Sequence, residues 1–290
     1  MTGVARWAFA PAPMARIAVL RAVVYAFVVY SVFFLVNDVV PHGYLPAELY
    51  KPVAWPRLLG LPAPTPVRVH VLQAVLVAGS LVAMTGHLPR LAGWLVAFAY
   101  LDWATIGMSY GKIDHDQLPL LVALFALPTV PRARFGDRSG SEAAGFALRC
   151  IQVSAVATYF LAAWAKLRWG GWDWANGAVF AWAMTRRGTF LGKALLEVPW
   201  LLVVSQWITL FVEALSPLLL VVRERFMLLA VLFFVCFHAA TWATIRIHFL
   251  PLVVCLLAFV PLETVPEAVR NVARRVRRPG RGRREPVPAA

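Results

Sequence analysis

The chain has 290 residues, of which 61% are hydrophobic and only 14% charged, with a mean hydropathy of +0.70. A soluble domain of ordinary composition carries about 25% charged residues, so the composition excludes that class and predicts an integral membrane protein. The net charge of +14 is unevenly spread, because the last 26 residues, VPEAVRNVARRVRRPGRGRREPVPAA, hold eight arginines against two glutamates. No aromatic residue interleaves those arginines, which favours the anionic cytoplasmic face of a bilayer as partner and argues against nucleic acid.

Taken in chain order, apolar runs predict an all-α polytopic transmembrane helix bundle. A crossing helix needs about 20 apolar residues. On that basis about eight spans are expected, at 17–37, 69–86, 90–109, 116–131, 145–167, 198–221, 226–246 and 248–262, with six or seven as the alternative count. The first run is too long for a signal-peptide core and no small-x-small cleavage site follows it, so it reads as a retained span. The fourth and eighth are short and carry Pro128, Pro131, Pro251 and Pro261, which suits tilted or partly buried helices. Residues 1–14 form an N-terminal cytoplasmic segment, 15–265 one membrane domain, and 266–290 a disordered arginine-rich tail.

Orientation follows from the positive charges of short loops. Arg90, then Arg132, Arg134 and Arg138, then Arg223 and Arg225 fall on one side with both termini, which makes that side cytoplasmic. The opposite side receives the loop 38–68, the turn 109–117 and the connection 168–197. The protein is thus expected in the cell membrane, with multiple passes. An Ala-, Val-, Gly- and Arg-heavy composition suits a bacterial inner membrane.

Cys150, Cys236 and Cys255 lie inside apolar runs without metal-ligand spacing, and they read as packing residues with neither a disulfide nor a metal site. Ionisable groups inside or at the ends of spans are the residues to question, because each is costly there. Lys166 ends the fifth span in YFLAAWAKLRWGGWDW, among tryptophans that would also suit a snorkelling anchor at the interface. His115 and Asp116 open the fourth span, and Arg246 and His248 lie between the seventh and eighth, all at the extracytoplasmic face with Lys166. Glu213 stands mid-span, where a carboxylate must be protonated or paired, and Gln206 precedes it by two turns on nearly the same face. His238 lies about two turns before Arg246, and a core histidine bonded to a backbone carbonyl is its ordinary fate. Asp102 and Arg149 are left to pair with one another or to face water.

A lysine desolvated among tryptophans loses hydration that favours its ammonium form, so a neutral amine can serve as a base in an apolar pocket. Such a pocket suits a lipid-soluble aromatic substrate. No phosphate loop, dinucleotide-binding glycine pattern or HExxH motif occurs.

The run YFLAAWAKLRWGGWDWANG resembles the signature of the horizontally transferred transmembrane (HTTM) domain, the membrane domain of vitamin K-dependent gamma-glutamyl carboxylases. The resemblance extends through ARIAVLRAVVYAF, YKPVAWPRLLGLPAPTP, GHLPRLAGWLVAFAYL, GKIDHDQLPLLVALFALP, FVEALSPLL and FFVCFHAATWATIRIHFLPL, nearly all of 15–262. It implies that Lys166 is the base that deprotonates reduced vitamin K or menaquinol, that His115 lies near the carboxylation step, and that Glu213 and His238 occupy family positions of later spans. It implies an extracytoplasmic site, a lipid-soluble quinone as cofactor and a protein or peptide substrate. The large soluble region with which the carboxylases bind their protein substrates has no counterpart in the sequence. A non-enzymatic permease or an accessory protein for export or maturation is the alternative, with Glu213, His238 and Arg149 along a pathway.

Overall fold

The computed structural model describes residues 3–265. The predicted tail at 266–290 lies outside the described residues. The regular structure of the described chain is helical apart from one antiparallel ribbon of two-residue strands, Ala12–Pro13 and Gly140–Ser141, in register Ala12 to Ser141.

Helix α1 (Met14–Tyr30) continues through a wider turn, Ser31–Leu35, in which Val36 N reaches back to Ser31 O at 2.8 Å. The turn leaves the Val36 carbonyl free to accept from Trp103 Nε1 at 2.8 Å. Helix α2 (Pro66–Thr85) starts where Thr65 Oγ1 caps the Arg68 amide at 3.2 Å and proline occupies the first turn. It stops at Gly86, whose φ of 71° side-chained residues seldom adopt. Helix α3 (Leu91–Met108) returns antiparallel, and α4 (Gln117–Ala126) ends in a tight turn at Leu127–Thr129 holding Pro128.

Helix α5 (Glu142–Gly170) is the longest, capped by Ser141 and ended by Gly171. The connection after it is itself structured: α6 (Ala178–Arg187) and α7 (Phe190–Leu195) lie across the bundle end. Helices α8 (Pro199–Ala214), α9 (Glu224–Ile245) and α10 (Leu250–Cys255) complete the chain.

Among the described residues, five helices are long and apolar enough to cross a membrane: Met14–Leu35, Pro66–Thr85, Leu91–Met108, Glu142–Gly170 and Glu224–Ile245. The other three predicted spans are shorter apolar helices, Gln117–Thr129, Pro199–Ala214 and Leu250–Phe259. Proline accounts for their shortness, because it removes an amide donor and clashes with the preceding turn. Pro128 and Pro217 fall in the tight turns that close α4 and α8, and Pro251 sits in the first turn of α10. Helix α4 buries Leu120, Ala123 and Leu124 against α3, α5 and α10, so it is an interior element.

The main core joins α1 to α5 with α10 around Trp103, Tyr100, Tyr25 and Leu127. Arg21 is only 2% exposed within it. Its guanidinium donates to Leu127 O at 2.7 Å, to Pro131 O at 2.9 Å and to Val130 O, which closes the carbonyl end of α4. Asp102 pairs with Arg68 at 2.6 Å, and Arg149 donates to Gln152 at 2.6 Å and lies over Trp7, so Asp102 and Arg149 do not partner one another.

The connections gather at two ends. Met14 and Ala15 bond to Ser139 and Asp137, and Arg16 holds Glu263, at one end. At the other, Lys51 N bonds Ser109 O, His42 stacks on Tyr110, and the turn after α3 meets the turn between α9 and α10. Cys255 is buried and Cys150 packs against the core, whereas Cys236 is exposed on α9, which corrects its expected packing role. Leu232 and Phe233 beside it are likewise exposed, because nothing among the described residues covers that side of α9.

Candidate functional site

A cavity of about 350 Å³ lies at the second end, between the last third of α5 and helices α8 and α9, with α6 and α7 laid across it. Lys166, His115, Glu213 and His238 all line it. Four residues picked from separate segments of sequence therefore meet in one space.

Lys166 does not reach outward as an interfacial anchor. Its Nζ donates to Glu213 Oε2 at 2.5 Å and lies 5.3 Å from the Trp174 ring centroid. The register of α5 against α8 shows how far it turns back: Ser216 Oγ donates to Val156 O, and Gln206 Nε2 donates to Trp174 O, so the two helices run antiparallel. Glu213, one turn from Ser216, is then level with about residue 160 of α5, and Lys166 starts about 9 Å beyond it at 1.5 Å per residue. The side chain runs back along α5 into the bundle, the direction in which helical Cα–Cβ bonds tilt. The side chains of Lys166 and Glu213 are 22% and 11% exposed, so the pair sits at the wall of a cavity, sheltered but reachable.

A second polar pair faces the same space. Tyr159 Oη and His238 Nε2 are 2.5 Å apart, and Phe234 packs on the Tyr159 ring at 4.8 Å. His238 Nδ1 is buried with no hydrogen-bond partner among the described residues. Tyr159 precedes Lys166 by seven residues, two turns on one helix face, which is the signal by which its place beside the lysine was readable. Its pairing with His238 had no such signal, because α5 and α9 are brought together only by the fold.

Phe249 links the two histidines, with ring centroids 6.1 Å from His115 and 5.3 Å from His238. It belongs to the turn Arg246–Phe249, in which Arg246 and Phe249 adopt φ of 57° and 45°, left-handed values that cost a side-chained residue about 1 kcal/mol or more. That backbone sends Ile247 and Phe249 to the cavity. Arg246 is exposed and His248 is half-buried, and neither lines the cavity, although their segment does. Asp116 is buried at the start of α4, flanked by Asp114, His115 and His248, and also stays outside the lining.

The structured connection supplies walls that the sequence did not mark. Trp174, Phe180, Met184 and Leu195 come from it. Helix α7 is pinned to α9 because Thr189 N and Oγ1 donate to Thr244 O and Ala243 O at 2.9 and 2.5 Å, satisfying carbonyls at a helix end. A Cβ at Gly192 would overlap the Thr244 carbonyl, so only glycine permits that approach. Two nearby cations in the sequence are engaged elsewhere: Lys112 pairs with Asp114 at 2.6 Å and Arg168 lies over Trp169.

Within the described residues no cluster of three or more His, Cys, Asp or Glu side chains has the geometry to hold a metal ion. Chemically the site is an apolar chamber with a hydrogen-bonded amine and carboxylate at one wall and a phenol and imidazole at another. Compared with protein-family models, with curated proteins and with solved structures, the chain has no match in any of the three.

Proposed function

We propose that this is a multi-pass protein of the cell membrane whose cavity deprotonates a lipid-soluble quinol, with Lys166 as the base. The carrying observation is Lys166 turned inward onto Glu213 in an aromatic cavity, where a snorkelling anchor would point outward. Five full-length helices and three shorter apolar ones support eight membrane segments, with both termini cytoplasmic and the cavity at the extracytoplasmic end.

The lining fits a planar aromatic ring. Trp174, Phe180 and Phe249 offer faces and edges, and the polar atoms are confined to the two pairs and His115. With its proton passed to Glu213, Lys166 presents a free amine that can take a phenolic proton, and the carboxylic acid is left able to donate it onward. Tyr159 and His238 form a second station for proton transfer or for holding a ring oxygen. Reduced menaquinone is the substrate this arrangement and the HTTM resemblance suggest, and the overall change would be quinol plus oxygen to quinone epoxide plus water. A protein or peptide substrate belongs to the same proposal, with His115 at the exposed mouth.

The test is incubation of the purified protein with menaquinol and oxygen, followed by chromatography for the epoxide. Wild-type protein is expected to form it, and Lys166→Ala to lose at least about 100-fold in rate. Absence of epoxide with wild-type protein, or an equal yield from Lys166→Ala, overturns the proposal. The alternative of a permease would string Glu213, His238 and Arg149 along one path, but Arg149 lies beside Trp7 and Gln152, outside the cavity lining.

A further inference from the structure

We infer that the ligand enters the cavity sideways from the bilayer, through a gap between α8 and α9, and is an elongated amphiphile with a protic head at one end. Helices α8 and α9 follow one another in sequence, yet they hardly touch. Helix α8 packs on α5, and α9 is held by α6, α7 and the last turns of the chain. The cavity occupies the space between them, with Ser205, Ile208 and Thr209 on one side and Phe237, Ala240 and Thr241 on the other.

Two of these residues belong to the cavity lining and the outer surface together. Ile208 is 51% exposed and Ala240 is also exposed, so the wall is open between them. The outer rim is apolar, with Val204 and Phe211 exposed on α8 and Phe233 on α9. Helix α9 has only 17% of its apolar window buried, the smallest share among the five spanning candidates, which leaves its flank to lipid.

The threonine hydroxyls along the gap do not make it polar. Thr209 donates to Ser205 O at 2.8 Å, Thr241 to Phe237 O at 3.0 Å and Thr244 to Ala240 O at 2.9 Å, so each satisfies its own helix. Apart from the Ser205 hydroxyl, a molecule passing between them meets methyl groups and rings until it reaches Lys166 and Glu213. A water-borne solute would have to shed its hydration along that path with nothing to replace it, whereas the chain of a bilayer-dissolved amphiphile is already dry. The volume of about 350 Å³ holds a head and the start of a chain, and the remainder of the chain would lie in the gap. The route rests on geometry alone; only the quinol identity of the head rests on the reading above.

The full chain in lipid nanodiscs can be photolabelled with two probes dissolved in the bilayer, a menaquinol kept reduced by excluding oxygen and a hexadecanol, each with a diazirine in the chain. Labelled peptides from α5, α8 and α9 are then quantified by mass spectrometry. Filling the gap with Ile208→Trp and Ala240→Trp is expected to lower labelling at Tyr159 and Lys166 about tenfold, and the milder Ala240→Leu about threefold. Leu228→Trp, on the exposed flank of α9 outside the lining, is expected to leave labelling unchanged. Labelling of both gap-filled proteins at the wild-type level overturns the lateral route, as does wild-type protein labelled by neither probe. Gap-dependent labelling by hexadecanol with none by menaquinol keeps the route and removes the quinol reading. Menaquinol labelling that ignores the filled gap does the reverse.

Discussion

Arg21 and Lys166 are both cations within helical spans, and the protein accommodates them by opposite means. Arg21 is surrounded by fixed acceptors, three backbone carbonyls at the end of α4, none of which can take a proton. Lys166 is given one titratable acceptor, Glu213, and an open space in front of it. The first arrangement fastens α1 to α4. The second leaves a hydrogen-bonded ion pair at the wall of a cavity, where a molecule entering that space can reach it. A buried charge is therefore informative about function through its partner and its neighbouring void more than through its burial.

That contrast can be broken experimentally. Removing one member of the Lys166–Glu213 pair, as in Glu213→Gln or Lys166→Met, should destabilise the protein by about 3 to 5 kcal/mol, because the other charge is stranded. The double variant Lys166→Met with Glu213→Leu should recover to within about 1 kcal/mol of wild type while staying inactive. Unfolding in mixed micelles measures both, and a double variant no more stable than the singles would refute the pairing. Arg21→Met has no such rescue, since its partners are backbone. About 3 kcal/mol should be lost from unpaired carbonyls, with the quinol turnover proposed above unchanged per folded molecule. Selective loss of turnover in folded Arg21→Met would show that the two sites are coupled.

A smaller effect is expected where the cavity cover meets α9. Gly192→Val should prise α7 from Thr244, costing about 2 kcal/mol and increasing the access of aqueous thiol reagents to a cysteine placed at Met184. Unaltered access would mean that α7 does not seal that side. The smallest effect concerns the end of the bundle at which Arg16 meets Glu263. Hydrogen bonds from the Arg16 guanidinium to both oxygens of Glu263 hold that carboxyl below its ordinary value. A lowered folded pKa means that the pair stabilises at pH above the unfolded carboxyl value and fades as pH falls through the folded one. Glu263→Gln should remove about 1 kcal/mol at neutral pH and flatten the acid side of the stability curve. A parallel curve offset at all pH values would place the effect in packing instead.

Much of this architecture was legible in the sequence. Apolar runs located all eight helical segments to within a few residues, because the need to satisfy backbone groups internally leaves a helix as the only solution for such runs. Lys166, His115, Glu213 and His238 stood out because ionisable groups in those runs are costly. Arg21 did not stand out, although it is the most deeply buried cation among the described residues, because an arginine near the start of the first span looks like an end-of-helix charge. Tyr159 was missed for a related reason: a tyrosine in an aromatic run gives no sign of a polar partner. The connection 168–197 reads as a loop rich in Gly and Trp, and only packing against α9 gives its two helices something to cover.

The sequence by itself determined the class, the helical segments and the short roster of ionisable residues, since these follow from local length, hydropathy and the cost of charge in an apolar medium. Only the tertiary structure decided partnership. Glu213 meets Lys166 across 47 positions of chain and His238 meets Tyr159 across 79, and Asp102 takes Arg68 while Arg149 takes Gln152 and Trp7. Periodicity along one helix shows which side a residue occupies. Which helix faces that side, and whether a void lies between them, depends on how all the helices pack at once.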